Sequence, residues 1–222
     1  MPLRPGLSLP LGELEGVQAR AHVSLVVVAV AFGLGAFGAP SPDDVDDVAV
    51  GAISVLVAVL VHELGHASVR ALLGSRVGQI VLYPFGGVAD GGERPPGPGY
   101  VAAVALGGPL ASLAAATALR YLGAPEHQIS LYVALGLGNL LPLVPFDGAA
   151  VLMATLSTRM REQAAARVTA IVGQVGAIVV FLAAIVVERP WLLLFAVLSF
   201  LFACSARARA GVARPENARE SL

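Results

Sequence analysis

Six apolar stretches divide this chain from its twenty-second residue almost to its end: His22 to Ala39, Val48 to Val69, Tyr100 to Leu119, Ile129 to Phe146, Val168 to Val187 and Trp191 to Ala206. A helix rises about 1.5 Å per residue, so most of these are long enough to cross roughly 30 Å of hydrocarbon. Inside hydrocarbon every backbone polar group needs an internal partner, which leaves only helices and closed barrels as spanning structures. Stretches of this length favour helices. The sixth is short and follows a tight Glu188-Arg189-Pro190 turn, so a tilted span or a helix packed on its neighbour both suit it. Only 13% of the residues are charged, against about a quarter in soluble domains. The expected fold class is therefore an all-α polytopic membrane protein of about six transmembrane helices, with residues 1–222 forming a single integral membrane domain.

The opening 22 residues do not read as a cleaved signal peptide, because the first apolar run starts late and ends in acidic residues without a small-residue cleavage pattern. Arginine placement orients the spans. With the N-terminus in the cytoplasm, Arg4, Arg20, Arg70, Arg76, Arg94, Arg159, Arg161, Arg167, Arg207, Arg209, Arg214 and Arg219 lie inside, and only Arg120 and Arg189 lie outside. That bias predicts a multi-pass cell-membrane protein with both termini cytoplasmic. The acidic run SPDDVDD, residues 41 to 47, then faces out as a solvated loop that starts a helix with negative charge. No polybasic tract is present, which argues against nucleic acid as a partner. The single cysteine, Cys204, excludes an intrachain disulfide and reads as a packed thiol.

One region breaks the helical pattern. Residues 73–99, after the second span, hold a β-prone core from Val77 to Tyr83 and then a tail rich in glycine and proline. A small membrane-associated β/loop region is expected there.

The second span carries polar groups that hydrocarbon penalises, in the sequence AVLVHELGHASVR, residues 58 to 70. His62 and His66 are four residues apart, which stacks them on one helix face with Cβ atoms about 5–6 Å apart. That spacing brings two imidazole nitrogens to one zinc, and Glu63 lies beside the pair where a carboxylate can take a proton from water. Gly65 leaves room for close packing. A catalytic zinc takes three protein ligands and keeps an open position. His22, at the end of the first span, and His127, in an external loop, are poorly placed for the third. Asp147 is the better candidate: it follows an apolar segment containing Asn139, Pro142 and Pro145, where the prolines must bend or open the helix. By arginine position Asp147 and His66 fall at the same cytoplasmic depth.

HELGH in an early span and NLLPLVPFDG in a later one resemble the two defining motifs of the site-2 protease family of intramembrane zinc metalloproteases. The resemblance implies His62, His66 and Asp147 as ligands of one zinc per chain, Glu63 as catalytic base, and Asn139 as a residue that holds substrate or the broken helix. It also implies a site open toward the cytoplasm and, as substrate, a single-pass membrane protein cut in or near its span. YPFGG, with Gly86 and Gly87, is similar to the family's strand and loop after the active-site helix, and GGP, with Gly108 and Pro109, to its glycine-proline element in the third core helix. The likeness spans roughly residues 48 to 150. Ala149 stands where the family often has a second glycine, and no attached regulatory or peptide-binding domain is recognisable, so a minimal form is expected, surrounded by membrane lipid. Homo-oligomerisation is compatible with the sequence.

Two other readings remain open. A membrane zinc protease acting at the cytoplasmic face would replace Asp147 by a glutamate, for which Glu162 is the available residue. A non-catalytic metal-binding scaffold or transporter would need further polar groups along a path, and spans one, five and six offer little beyond His22 and Gln174. The arginine bias yields a direct test. With Cys204 replaced, a cysteine at Ser75 should label only after cells are opened, and labelling from outside intact cells would reverse the orientation.

Overall fold

The computed structural model describes residues 7–14, 17–34, 45–75, 79–83, 86–90 and 97–212. Residues 41–44 of the acidic run, Val77 of the β-prone core, Pro84 and Phe85 of YPFGG, and 91–96 of the turn-rich tail lie outside them. In chain order the elements are β1 (Ser8–Leu14), β2 (Val17–His22), α1 (Val23–Gly33), α2 (Val45–Leu72), β3 (Gln79–Tyr83), β4 (Gly86–Asp90), α3 (Pro98–Tyr121), α4 (Glu126–Asn139), α5 (Asp147–Ser157), α6 (Glu162–Val186) and α7 (Pro190–Val212). Among the described residues, four helical stretches are long and apolar enough to cross a membrane: Val48–Leu72, Pro98–Tyr121, Glu162–Val186 and Pro190–Gly211. Large apolar side chains on them face outward, among them Ile53, Leu110, Val179, Leu182, Leu194 and Leu201. Such a surface suits lipid and would associate in water. The chain is a multi-pass membrane protein.

Contacts divide the chain into two compact units, residues 1–141 and 142–222. In the first, α1 and α2 pack through Leu25, Ala29, Val55 and Val59. On the other side of α2, Ala58 meets Ala116 of α3 and Ile129 and Tyr132 of α4. α2 and α3 approach closely at two glycines. A methyl on Gly65 would lie 2.6 Å from Ala111 Cβ and closer still to the Gly107 carbonyl, and one on Gly107 would lie 2.7 Å from the Gly65 carbonyl oxygen. Backbone therefore touches backbone, as small residues permit in membrane helices. α3 starts at Pro98, where the missing N–H costs no helical bond, but Pro109 lies inside it and deprives the Ala105 carbonyl of its usual donor.

The fold is not all helix. A four-stranded sheet runs in the order β1-β2-β3-β4, with β1/β2 and β3/β4 antiparallel and β2/β3 parallel. The sequence reading placed strand only after the second span. The opening residues supply two further strands, so His22 ends β2 and the helix begins at Val23. Arg20 ties β1 to β2 by donating from Nε to Ser8 Oγ at 2.9 Å and from a terminal nitrogen to the Ser8 carbonyl at 2.8 Å. The polar alternation that a lone hairpin would display is weak here because its partner strand comes from residues 57 or more positions later.

The stretch 129–146 is also not one helix. α4 ends at Asn139, residues 140–146 turn without helix through a cis Val144–Pro145 bond, and Asp147 opens a new helix, α5. In the second unit α6 and α7 pack through alanines spaced by two turns, Ala170, Ala177 and Ala184 against Ala196, Ala203 and Ala210. Leu143 and Val144 rest on Gly176 and Gly173 of α6.

The glycine contact between α2 and α3 predicts a large difference between two alanine substitutions. Gly65→Ala should destabilise the protein by about 1–3 kcal/mol, because backbone must move to admit the methyl. Gly99→Ala, at a position with open space around it, should be neutral or mildly stabilising. Unfolding of both in detergent measures the contrast.

Candidate metal centre

His62, Glu63 and His66 lie on consecutive turns of α2, and their ligand atoms fall within 4.8 Å of one another. His62 is 3% and Glu63 5% exposed, while His66 is half-buried. The imidazole rings meet edge to face, at 4.9 Å between centroids and 81° between planes. Their Nε2 atoms face each other at 3.3 Å.

The opposite ring nitrogens are held by α3. His66 Nδ1 lies 2.7 Å from the Val104 carbonyl oxygen. A carbonyl only accepts, so the proton is on Nδ1, and Nε2 of the neutral ring presents its lone pair. The Gly108 N–H is also near Nδ1, at 3.3 Å, but the shorter contact to the carbonyl decides the tautomer. His62 Nδ1 lies 2.9 Å from the hydroxyl of Ser112, which is wholly buried.

This donor set fits zinc. Two nitrogens each about 2.0–2.1 Å from a tetrahedral ion lie about 3.3–3.4 Å apart, which is the separation found. Two lone pairs at that distance repel each other unless a proton or cation lies between them. Gly108 keeps the space beside them clear: a methyl there would lie 2.6 Å from His62 Nε2 and closer still to that of His66.

A family model described as Peptidase M50B-like matches residues 45–146, from the start of α2 to the residue before Asp147. Rip3 of Mycobacterium tuberculosis is 31% identical over 175 residues, covering 68% of this chain and 44% of its own. Stage IV sporulation protein FB of Bacillus subtilis is 32% identical over 126 residues, 52% of this chain and 43% of its own. The solved structure of a site-2 protease from Methanocaldococcus jannaschii superposes with a TM-score of 0.67 at 23% identity, over 90% of this chain and 95% of that one, and shares its fold. The chain belongs to the site-2 protease family. It spans less than half the length of Rip3 and of the sporulation protein.

The other sequence-derived residues of this site-2 protease relative take varied places. Gly108 and Pro109 are buried on α3 at the histidine pair. Asn139 is the last residue of α4 and donates from Nδ2 to the Leu135 carbonyl at 2.9 Å, so it steadies the helix end. Pro142 and Pro145 lie in the non-helical turn, and Asp147 is the first residue of α5 in the second unit, half-buried. Gly86 and Gly87 pair with Tyr83 and Leu82 in the β3/β4 hairpin. Glu162, the alternative ligand, is exposed at the start of α6. Gln174 bridges Cys204 and Arg207, donating to the Cys204 sulfur at 3.2 Å and accepting from the arginine at 3.1 Å. His22 Nδ1 accepts from the Ser24 N–H at 3.2 Å and so caps α1, and His127 is exposed.

Sequence reasoning missed Ser112 and the Val104 carbonyl. A lone hydroxyl in the run from Val101 to Ala116 was a usable signal, because a polar group in an apolar span calls for a partner. Nothing in the sequence marks one backbone carbonyl among its neighbours. The cradle at Gly108 makes a prediction. Gly108→Ala should remove most bound zinc from the purified protein, because the methyl displaces both rings, and elemental analysis against the unmodified chain checks it.

Proposed function

We propose that this protein is a zinc-dependent intramembrane endopeptidase that hydrolyses a peptide bond in or near the transmembrane segment of a single-pass membrane protein. The observation that carries the reading is the pair of inward-facing Nε2 atoms, 3.3 Å apart, beside a buried glutamate on a helix of membrane-spanning length. His62, His66 and Asp147 would hold one zinc per chain. When bound, that ion supplies a Lewis acid for the scissile carbonyl and raises the acidity of water.

Glu63 then has the general-base role. Its carboxylate takes a proton from the attacking water and returns it to the amine that leaves. Burial of Glu63 keeps bulk water from competing for it. Gly108 lets α3 lie directly against the two histidine rings. A substrate helix conceals its amides in internal hydrogen bonds, so it must unwind first, and the β3/β4 hairpin offers an edge on which an unwound segment can pair. The arginine bias supports a cytoplasmic opening for the site and cytoplasmic termini.

Two substitutions separate catalysis from metal binding. Glu63→Gln should keep zinc and lose cleavage of a membrane substrate by about 10² or more. Asp147→Ala should lower both zinc content and cleavage. Zinc analysis and cleavage measured on the same preparations check both, and a Glu63→Gln protein that cleaves at the unmodified rate would end the proposal for that residue.

A further inference from the structure

The two histidines are held in unlike ways. His66 Nδ1 faces a backbone carbonyl that no substitution removes, whereas His62 Nδ1 faces a side chain, Ser112, one turn beyond Gly108 on α3. Ser112 is wholly buried and lies 50 residues away in sequence, so the 2.9 Å contact exists only because Gly65 and Gly107 bring the helices together.

We infer that Ser112 is a positioning residue for the metal centre: its hydroxyl accepts the Nδ1 proton of His62 and so keeps the Nε2 lone pair turned toward that of His66. The inference rests on the zinc reading above. A neutral imidazole has one donor and one acceptor nitrogen, and the partner of one nitrogen decides which is which. Without an acceptor at Nδ1 the ring is free to turn or to place its proton on Nε2, which removes the lone pair from the site. A hydroxyl suits this depth because it accepts without bringing a second negative charge beside the α2 helix, which already carries Glu63. A carboxylate partner, common behind histidine ligands elsewhere, would add that charge.

The test is zinc affinity, measured by chelator competition on the full chain in detergent, with the cobalt(II) absorption spectrum as a second readout. Ser112→Ala should weaken zinc by about 10–100-fold and change the cobalt spectrum, because the His62 ring is no longer held. Ser112→Thr, which restores the hydroxyl, should recover affinity. Ser199→Ala removes an equally buried hydroxyl from α7 and should leave both readouts unchanged, which separates a positioning role from general loss of packing. Wild-type affinity and spectrum in Ser112→Ala would overturn the inference while leaving the zinc reading intact. Absence of stoichiometric zinc in the unmodified protein would overturn both.

Discussion

The contact of α2 with α3 at Gly65 and Gly107 is the constraint from which the candidate site follows. With any larger side chain there, the helices would have to move apart, and the contacts of 2.7 and 2.9 Å to the histidine rings would lengthen. Lipid tails are as apolar as the side chains they replace, so helices in a membrane gain little from apolar burial alone. Close packing and internal hydrogen bonds must then hold them. Here the same few residues do both, since the glycines allow the approach and the histidines bond across it.

Burial also governs the chemistry. A carboxylate in hydrocarbon costs several kcal/mol unless it is paired, and Glu63 is almost wholly buried. Its placement beside two oriented imidazoles gives it a reason to be there, and helix geometry fixes that placement because the three residues fall within two turns.

How much of this was legible in the sequence depends on distance along the chain. His62, Glu63 and His66 are local, so spacing alone put the two histidines on one face with Glu63 beside it. Pro142 and Pro145 announced a break in the fourth stretch because proline acts on its own turn, and the structure does leave the helix at Asn139. The tertiary facts were hidden. β1 pairs with its neighbour β2, and β2 in turn lies beside β3, far ahead in the chain, so residues 8–22 show no strong signal by themselves. Asp147 looked like the end of a span because an apolar run stops there, whereas it opens α5. Hydropathy marks where apolar residues end and does not tell a helix terminus from a helix start. The Val104 carbonyl is invisible to any reading of side chains.

The parallel pairing of β2 with β3 has a topological consequence. β2 leads into α1 and β3 follows α2, yet the two strands share one ladder, Gln18 to Ala21 against Gln79 to Leu82. Strands joined by backbone hydrogen bonds stay side by side, so the start of α1 and the end of α2 are fastened to one sheet. The chain that leaves β2 must come back to it before β3 is laid down, and the helix that bears His62, Glu63 and His66 is thereby tethered at its C-terminal end to the ladder that also tethers the start of α1.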